Sequence, residues 1–246
     1  MIIALLSDLH ANLEAVQACL RHSTERGAER FAFLGDLVGY GADPEAVVDI
    51  VADHVARGAI VVQGNHDAAV TNGAGGLNDA AAESLEWTRD ALSPSRRAFL
   101  ASLPLIVREN DICFVHATAD APERWAYIET NGAARQSIEA AGTTYTFGGH
   151  VHQQVLYFHT RTGKVAPFHP IAASPVPVPS HRRWHAIVGS VGQPRDGNPA
   201  AAYALFDTAS EEMTFFRVAY DHIATAAKIR RASLPEWLAA RLENGI

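Results

Sequence analysis

The sequence contains little cysteine and no long apolar run. Its 246 residues include two cysteines, Cys19 and Cys113, which do not have the spacing of metal ligands. Both stand among apolar residues, so we expect two reduced thiols in the core rather than a disulfide. The apolar start, residues 1–6, has no basic region and is too short for a signal peptide core or a membrane span. We therefore expect a cytoplasmic protein that does not enter a membrane.

Basic residues are scarce as well. Lysine and arginine number 20 against 27 aspartates and glutamates, the formal net charge is −7, and no basic stripe is evident. A surface that grips the backbone of nucleic acid is therefore not expected. The acidic balance does not exclude a small phosphorylated substrate, because bound metal ions can invert the local field. Apolar residues at 48% and charged residues at 19% are typical of a globular enzyme with a substantial core.

Apolar runs and helical patterns alternate through the first two-thirds of the chain, and short strands follow one another after residue 154. The first pattern favours βαβ units and the second favours antiparallel hairpins, so we predict an α/β fold with two packed sheets. The proline-rich segment 170–180 is predicted to be an irregular surface loop. No linker-like segment divides the chain, which indicates one domain over residues 1–246. The predicted strands are 2–6, 31–34, 60–63, 112–115, 144–147, 155–159, 165–168, 185–188, 202–206 and 213–218, and the predicted helices are 13–25, 43–55, 78–92, 94–102, 133–141, 221–231 and 235–242.

Polar clusters follow the ends of five predicted strands. Because ligand sites in open α/β sheets gather at the carboxyl ends of the strands, these clusters should converge on one edge. Gly35, Gly64 and Gly149 precede three of the clusters and allow sharp turns and a close approach of the backbone. The side chains concerned are Asp8, His10, Asp36, Asn65, His66, His116, His150 and His152.

A mixture of carboxylate and amide oxygens with imidazoles suits Mn²⁺, Fe, Zn²⁺, Co²⁺ or Ni²⁺ and suits Ca²⁺ poorly. The absence of thiolates from the clusters argues against a closed structural zinc site. The spacing of Asp8 and His10, and of His150 and His152, is also informative. If the backbone is extended there, alternate side chains point the same way and can face one cavity.

The motifs resemble, in content and order, those of the calcineurin-like metallophosphoesterase superfamily. In chain order they are Asp-x-His from Asp8, Gly-Asp at Asp36, Gly-Asn-His-Asp at 64–67, a lone histidine at His116 and Gly-His-x-His at 149–152. The stretch 189–197 also looks like that of the small bacterial branch, which is associated with phosphodiesterase, phosphatase and dinucleoside-polyphosphate hydrolase activities. Each motif alone is weakly specific, but five in the family's order are strongly specific.

The resemblance implies a fold of two mixed sheets packed face to face with helices outside, a four-layer αββα sandwich. It also implies two divalent transition-metal ions that share Asp36. The first ion would be held by Asp8, His10, Asp36 and His152, and the second by Asp36, Asn65, His116 and His150. His66 would not be a ligand but would face the leaving group as the catalytic residue.

That arrangement implies hydrolysis of a phosphodiester, a phosphomonoester or a nucleotide phosphoanhydride. A water shared by two ions about 3.5–4 Å apart becomes hydroxide at neutral pH and attacks phosphorus in line. The cluster keeps a net positive charge, which suits an anionic substrate. His66 would protonate the departing alkoxide or polarise the ester oxygen.

The second motif departs from the one found in the superfamily's protein phosphatases, which reads Gly-Asp-x-x-Asp-Arg-Gly. Here residues 35–41 lack the aspartate that orients the catalytic histidine and the arginine that grips phosphate. A Ser/Thr protein phosphatase is therefore not expected, and the partner of His66 stays unidentified. Asp67 is adjacent in sequence, but its side chain can point elsewhere.

Several residues near the motifs have two interpretations. Asn12 can cap a helix or touch a substrate phosphate, and capping is favoured. Arg195, in a Pro-Arg-Asp-Gly turn, can bind phosphate or be a solvated loop residue. Trp125 is interpreted as a core or interface aromatic, and stacking of Trp125 or Tyr127 on a nucleobase is the less favoured alternative.

Two further hypotheses concern substrate access and rival functions. The helices near 72–102 are predicted to form a lid-like insertion, with the glycine-rich run 73–76 as its hinge. A dinucleoside polyphosphate is one specific substrate that the resemblance permits. The rival function is a non-catalytic metal-binding scaffold, since the superfamily contains a retromer subunit that keeps the fold but has lost metal ligands; all seven ligand positions are filled here.

Overall fold

The computed structural model describes residues 1–72, 79–160 and 162–246. Its strands are β1 (Ile2–Leu6), β2 (Arg30–Phe33), β3 (Ile60–Val61), β4 (Ile106–Glu109), β5 (Ile112–Val115), β6 (Tyr145–Gly148), β7 (Gln154–His159), β8 (Val165–Phe168), β9 (Pro175–Pro177), β10 (Trp184–Val188), β11 (Ala201–Asp207) and β12 (Glu212–Val218). Its helices are α1 (Leu13–Glu25), α2 (Pro44–Ala56), α3 (Asn65–Asn72), α4 (Asp79–Ala91), α5 (Pro94–Ser102), α6 (Asn131–Ala141), α7 (His222–Arg231) and α8 (Glu236–Asn244).

The strands form two mixed sheets of six strands each. The order of the first sheet is β3-β2-β1-β11-β12-β9, and that of the second is β4-β5-β6-β10-β7-β8. β1, β2 and β3 run parallel to one another, as do β5, β6 and β10, and the remaining pairs are antiparallel. The carboxyl ends of both parallel sets carry the predicted ligand clusters, which the topology brings to neighbouring sheet edges.

The two sheets pack face to face over an apolar core. Alternate residues of β1, Ile3 and Leu5, point into this core, where they meet Phe114 and Phe147 of the second sheet. The other β1 face, with Ala4, packs under helices α1 and α2. α6 covers the outer face of the second sheet. The predicted four-layer αββα sandwich is therefore confirmed.

Local sequence signals account for where several helices begin. Asn12 precedes α1, and its side chain accepts the N–H of Ala15 at 3.1 Å. Thr130 caps α6 in the same way, and Pro44 occupies the first turn of α2. The Asn12 and Thr130 side chains accept N–H groups that have no partner within the helix, and Pro44 has no N–H that needs one. The interpretation of Asn12 as a helix cap is confirmed.

The sequence prediction missed three elements. α3 begins at Asn65, inside the motif that was treated as a strand-end cluster. β4 pairs antiparallel with β5 through a tight connection. The prediction of an irregular loop over 170–180 is wrong in part, because β9 lies within it and pairs with β12. β9 lies at the edge of its sheet. Pro175 and Pro177 are tolerated there because no further strand needs backbone N–H donors from its outer side.

α4 and α5 are the described part of the predicted lid-like insertion. Leu85 of α4 and Leu100 of α5 are buried in the core that also contains Val48 of α2. The hydroxyl of Ser84 accepts the N–H of Tyr40 at 2.8 Å. Residues 73–78, which include the predicted glycine hinge, lie outside the described residues, and the lid stays a prediction. Among the described helices, none has the length and apolarity needed to cross a membrane.

Candidate metal centre

The five polar clusters converge where the parallel strands of both sheets end. The loop after β1 carries Asp8 and His10, the loop after β2 carries Asp36, and α3 after β3 begins with Asn65 and His66. The loops after β5 and β6 bring in the remaining three side chains, which are His116, His150 and His152. Apart from half-buried Asn65, these side chains are buried. The five clusters therefore converge as predicted, but at adjacent edges of two packed sheets rather than at one edge of a single sheet.

The backbone at these positions is not extended, so the reasoning from alternation was wrong. Five of the predicted ligands have a positive φ: 53° at Asp8, 46° at His10, 51° at Asp36, 68° at His150 and 63° at His152. This left-handed region is uncommon for residues other than glycine, although aspartate and histidine tolerate it better than most. The side chains reach one cavity because each loop turns sharply within one residue, not because the chain is straight.

Asp8, His10 and His152 form the first ligand group. The Nε2 of His152 lies 3.2 Å from Asp8 Oδ1 and 3.1 Å from the Nε2 of His10. All three ligand atoms lie within 4.8 Å of one another. Asp8 is held by the N–H of His150, which donates to its Oδ2 at 3.0 Å.

Asp36, His116 and His150 form the second ligand group, again within 4.8 Å. The Nε2 of His116 lies 3.4 Å from Asp36 Oδ2 and 3.1 Å from His150 Nδ1. Asn65 joins this group, since its Oδ1 lies 3.2 Å from the same nitrogen. The structure thus brings the predicted ligands together, and a third group within 4.8 Å consists of His10, Asp36 and His66. The assignment of individual ligands to two ions stays a prediction.

Asp36 lies between the two groups. Its Oδ1 accepts the N–H of His66 at 2.8 Å, which fixes the carboxylate. Its Oδ2 is 3.4 Å from the Nε2 of His116 in one group and 3.9 Å from the Nε2 of His10 in the other. One carboxylate oxygen therefore faces both groups.

Each of the four histidines of these groups uses one ring nitrogen to bind a backbone carbonyl and turns the other toward the cavity. The pairs are His10 Nδ1 with Val38 O at 3.3 Å, His116 Nδ1 with Leu34 O at 2.7 Å, His150 Nε2 with Trp125 O at 2.9 Å and His152 Nδ1 with Gln193 O at 2.6 Å. A carbonyl can only accept, so the nitrogen facing it carries the proton and the inward nitrogen presents a lone pair. Hydrogen bonds of this kind orient and strengthen metal-binding histidines.

The donor set fits a pair of transition-metal ions. Inward imidazole lone pairs meet one another and carboxylate oxygens at 3.1–3.9 Å, an arrangement of acceptors that a cation stabilises. Burial acts to raise the pKa of Asp36, but His116, His66 and His10 together outweigh it and hold that pKa well below its usual range. Burial acts to lower the pKa of His116, but Asp36 raises it to about 9.

His66 lies at the edge of the cavity, beside the first group. Its ring makes edge contacts with those of His10 and Tyr40, with centroids 5.1 and 4.4 Å away. Its Nδ1 is buried without a hydrogen-bond partner among the described residues. Burial, more strongly than any neighbouring charge, lowers its pKa. The ring is therefore packed in place by aromatic neighbours rather than by a carboxylate.

Asp67 points away from His66, as the sequence analysis allowed. Its Oδ1 accepts the N–H groups of Leu37 and Val38 at 2.9 and 3.3 Å, and its Oδ2 accepts the N–H of Gly64 at 2.9 Å. Asp67 thus ties the loop after β2 to the start of α3. It supports the loops that carry Asp36 and His66.

The two predicted substrate contacts lie on the same side of the cavity. Asn12 is buried, and its amide donates to Gly192 O at 2.9 Å and to the Tyr220 hydroxyl at 3.1 Å. Arg195 is half-buried, and its guanidinium lies 5.8 Å from the Tyr40 ring. Contact of either residue with substrate stays a prediction.

Sequence reasoning named Trp125 and Tyr127 but did not foresee that both contact His150. Trp125 supplies a carbonyl from a left-handed residue with φ 52°. Tyr127, which is 51% exposed, stacks on His150 with ring centroids 4.1 Å apart and an interplanar angle of 18°. Both had been noted as aromatics near the His116 loop, but carbonyl acceptors carry no signal in residue identity.

Comparison with known proteins gives consistent results. The sequence model of the calcineurin-like phosphoesterase superfamily domain matches residues 1–211. An uncharacterized protein of Methanocaldococcus jannaschii is 32% identical over 99% of this chain and 98% of its own length. A crystal structure of a metallophosphoesterase from Sphaerobacter thermophilus is 35% identical, with a TM-score of 0.88 over the whole of both chains. A hypothetical protein from Pyrococcus horikoshii has the same fold, with 19% identity and a TM-score of 0.80 over 100% of this chain and 98% of its own.

The chain therefore belongs to the calcineurin-like phosphoesterase superfamily.

Proposed function

We propose that this calcineurin-like phosphoesterase hydrolyses phosphoesters with two divalent transition-metal ions, one in each ligand group. The observation that supports this best is the position of Asp36 Oδ2, at 3.4 Å from His116 and 3.9 Å from His10. A carboxylate oxygen that faces two histidine groups is suited to bridge two ions. When bound, such ions activate water and neutralise charge on the phosphoryl oxygens.

The chain's own residues hold and insulate that chemistry. The back-side carbonyl bonds fix the four histidine rings, so little reorganisation is needed when ligands bind. The burial of Asp8, His10 and His116, each at most 1% exposed, removes competing water. In such a cavity, electrostatic interactions with a phosphate are stronger than at an open surface.

His66 is proposed to act on the leaving group. Burial lowers its pKa most strongly, Asp36 acts to raise it, and the charge of Arg195 lowers it further. The imidazole is proposed to protonate the departing oxygen or to polarise it through its N–H. The packing against Tyr40 and His10 keeps this ring beside the reacting groups.

The finer features of the proposal concern setting and substrate. The free, buried thiols of Cys19 and Cys113 support a reducing, cytoplasmic setting. The Ser84 hydroxyl of α4 bonds the N–H of Tyr40, which supports a link between the lid-like insertion and the site. A small phosphorylated compound is the proposed partner, and a dinucleoside polyphosphate is one candidate substrate to test.

The test is hydrolysis of bis(p-nitrophenyl) phosphate and p-nitrophenyl phosphate with Mn²⁺, Ni²⁺ or no added metal, together with metal analysis of the same preparations. Wild-type protein should contain two ions per chain and require them for turnover. Asp36→Asn should lose both properties. His66→Ala should keep two ions but turn over about 10²–10⁴ times more slowly, because it removes only the group facing the leaving oxygen.

Two exposed residues provide matched controls. Asp120→Asn and His181→Ala change the same residue types on the surface and should behave like wild type. If His66→Ala loses an ion, His66 is a ligand, as its position near His10 and Asp36 also permits. If the protein binds two ions but hydrolyses no phosphoester, including a dinucleoside polyphosphate, the scaffold hypothesis replaces the enzyme.

A further inference from the structure

Two arginines converge on one neutral oxygen beside the first ligand group. Arg195 Nε and Nη2 donate to Gln193 Oε1 at 3.2 and 2.8 Å, and Arg241 Nη1 donates to the same oxygen at 3.5 Å. Arg195 comes from the loop after β10, whereas Arg241 comes from α8 near the end of the described chain. Two guanidinium groups that share one amide oxygen bring like charges together without neutralising either of them.

The carboxylates nearest to them in sequence are engaged by other arginines. Asp196, next to Arg195, binds Arg217 through both oxygens at 2.9 and 2.6 Å. Glu236 and Glu243, on the helix of Arg241, bind Arg230. Within the described ranges, the ion pairs formed by arginine belong to other residues, namely Arg30, Arg96, Arg135, Arg217 and Arg230.

Gln193 connects this arginine pair to the metal centre. Its backbone carbonyl accepts the Nδ1–H of His152 at 2.6 Å, while its side chain binds both guanidinium groups. On the other side, Arg195 lies over Tyr40, whose ring touches that of His66. Burial, followed by the charge of Arg195, lowers the pKa of Arg241, as expected for two neighbouring cations without an anion between them.

We propose that Arg195 and Arg241 bind a second phosphate group of the substrate, next to the phosphate that reacts at the metal centre. The reacting phosphate rests on the function proposed above, but the anion site itself does not. Planar guanidinium groups present paired N–H donors that match the oxygens of phosphate, and two of them suit a doubly charged group. The substrate class is therefore a phosphoester or phosphoanhydride that carries at least two phosphates.

A purely structural role for the pair is the competing explanation. The guanidinium of Arg241 stacks over Trp237 at 4.7 Å, and that contact alone would help to fix α8. A structural role predicts lower stability of the variants and no change in the preference for a second phosphate. A binding role predicts a change in that preference.

The experiment compares two ligands whose P–C bonds resist hydrolysis, methylphosphonate and ethane-1,2-diphosphonate. Isothermal titration calorimetry is run on the full chain with excess Mn²⁺ in both cell and syringe, so that chelation does not strip the protein. Wild type should bind the diphosphonate at least about tenfold more tightly than methylphosphonate. The ratio should fall to below about threefold in Arg195→Gln and in Arg241→Gln.

Arg231→Gln is the matched control, because it removes an exposed arginine from the same terminal region and should keep the wild-type ratio. Arg241→Lys keeps a cation and should keep part of the preference, and it serves as the test if Arg241→Gln does not fold. An unchanged ratio in both glutamine variants, or no preference in wild type, overturns the inference. Neither ligand reacts, so binding can be measured whether or not the protein is an active phosphoesterase. If wild type prefers the diphosphonate, the glutamine variants lose that preference and no phosphoesterase activity is found, the proposed function is refuted and the anion site is supported.

Discussion

The role of Asp67 as a tie between two site loops gives a prediction that can be worked out in detail. Its carboxylate accepts the N–H groups of Leu37, Val38 and Gly64, and the side chain is buried. Asp67→Ala leaves three buried donors without an acceptor, each worth about 1–3 kcal/mol. Allowing for a water that enters the space, we expect the free energy of unfolding to fall by about 3–6 kcal/mol. Asp67→Asn keeps one acceptor oxygen and should lose about 1–3 kcal/mol.

The pH dependence provides an independent check. Burial, followed by Asp36, raises the pKa of Asp67 to about 7, above its ordinary value of 3.8. Between these two pH values the folded state holds a proton that the unfolded state releases. The contribution of this proton to the free energy of unfolding is fully present below pH 3.8 and is lost as pH rises through about 7. Compared with Asp67→Asn, metal-free wild type should therefore lose about 2 kcal/mol more between pH 5 and pH 8.

The assay is urea unfolding followed by circular dichroism in EDTA, repeated with saturating Mn²⁺. Metal should shrink the pH effect, because a cation on Asp36 removes one cause of the raised pKa. Asp120→Asn, at an exposed position, should stay within about 0.5 kcal/mol of wild type. If Asp67→Ala is no less stable than this control, the reasoning about the tie is refuted.

Three further changes test other parts of the structure. In Gly149→Ala the new Cβ would lie 2.6 Å from the Cβ of Ser7 and would collide with Asp8 Oδ2. The free energy of unfolding should therefore fall by about 1–3 kcal/mol, and atomic absorption should show less bound metal. Normal metal content would show that Asp8 can move freely. Burial lowers the pKa of His185 to about 3, so the folded protein, in which this ring is neutral, loses stability as pH falls below 6.5. Between pH 7 and pH 5 the free energy of unfolding should fall by about 2 kcal/mol more in wild type than in His185→Leu. Parallel pH profiles of the two proteins would contradict this. Asn12→Ala should destabilise the fold by about 1–2 kcal/mol with an unchanged KM, whereas a raised KM in an equally stable protein would support substrate contact instead.

The positions of the predicted ligands could be read from the sequence because each follows a strand. Asp8 comes two residues after β1 ends, and His116 directly follows β5. Parallel strands bring their carboxyl ends to one edge within each sheet, which groups Asp8 with Asp36 and His116 with His150. The two groups meet because the sheets pack face to face, and chain order alone does not show that packing. The fold class followed from the same alternation of strands and helices.

The conformation of the loops could not be read in the same way. The Asp-x-His spacing was interpreted as extended chain, but Asp8 N–H donates to Gly35 O at 3.0 Å and His10 N–H to Asp36 O at 2.9 Å. These bonds between the loops after β1 and β2 hold both residues in left-handed conformations. Their partners are backbone atoms, which leave no mark in a pattern of side chains.

Two other omissions have separate causes. α3 has no regular apolar period, since the segment from Asn65 begins with polar motif residues, and a pattern-based prediction passes over it. Arg241 resembles any solvated arginine on a terminal helix. Its importance appears only when α8 packs against the loop of Gln193.

The left-handed backbone at the metal ligands also affects how this protein can change its sequence. A residue other than glycine in that conformation lowers stability by about 1–2 kcal/mol. At His10 or His152 a change to glycine would relax the backbone while removing a predicted ligand, so selection for stability alone would act against the proposed metal centre. Ala11, with φ 50° and no predicted ligand role, offers the contrasting case in which a change to glycine would relax the chain without that loss. At the predicted ligand positions, stability and the proposed metal binding therefore favour different residues, whereas a stabilising change at Ala11 would leave the predicted ligands in place.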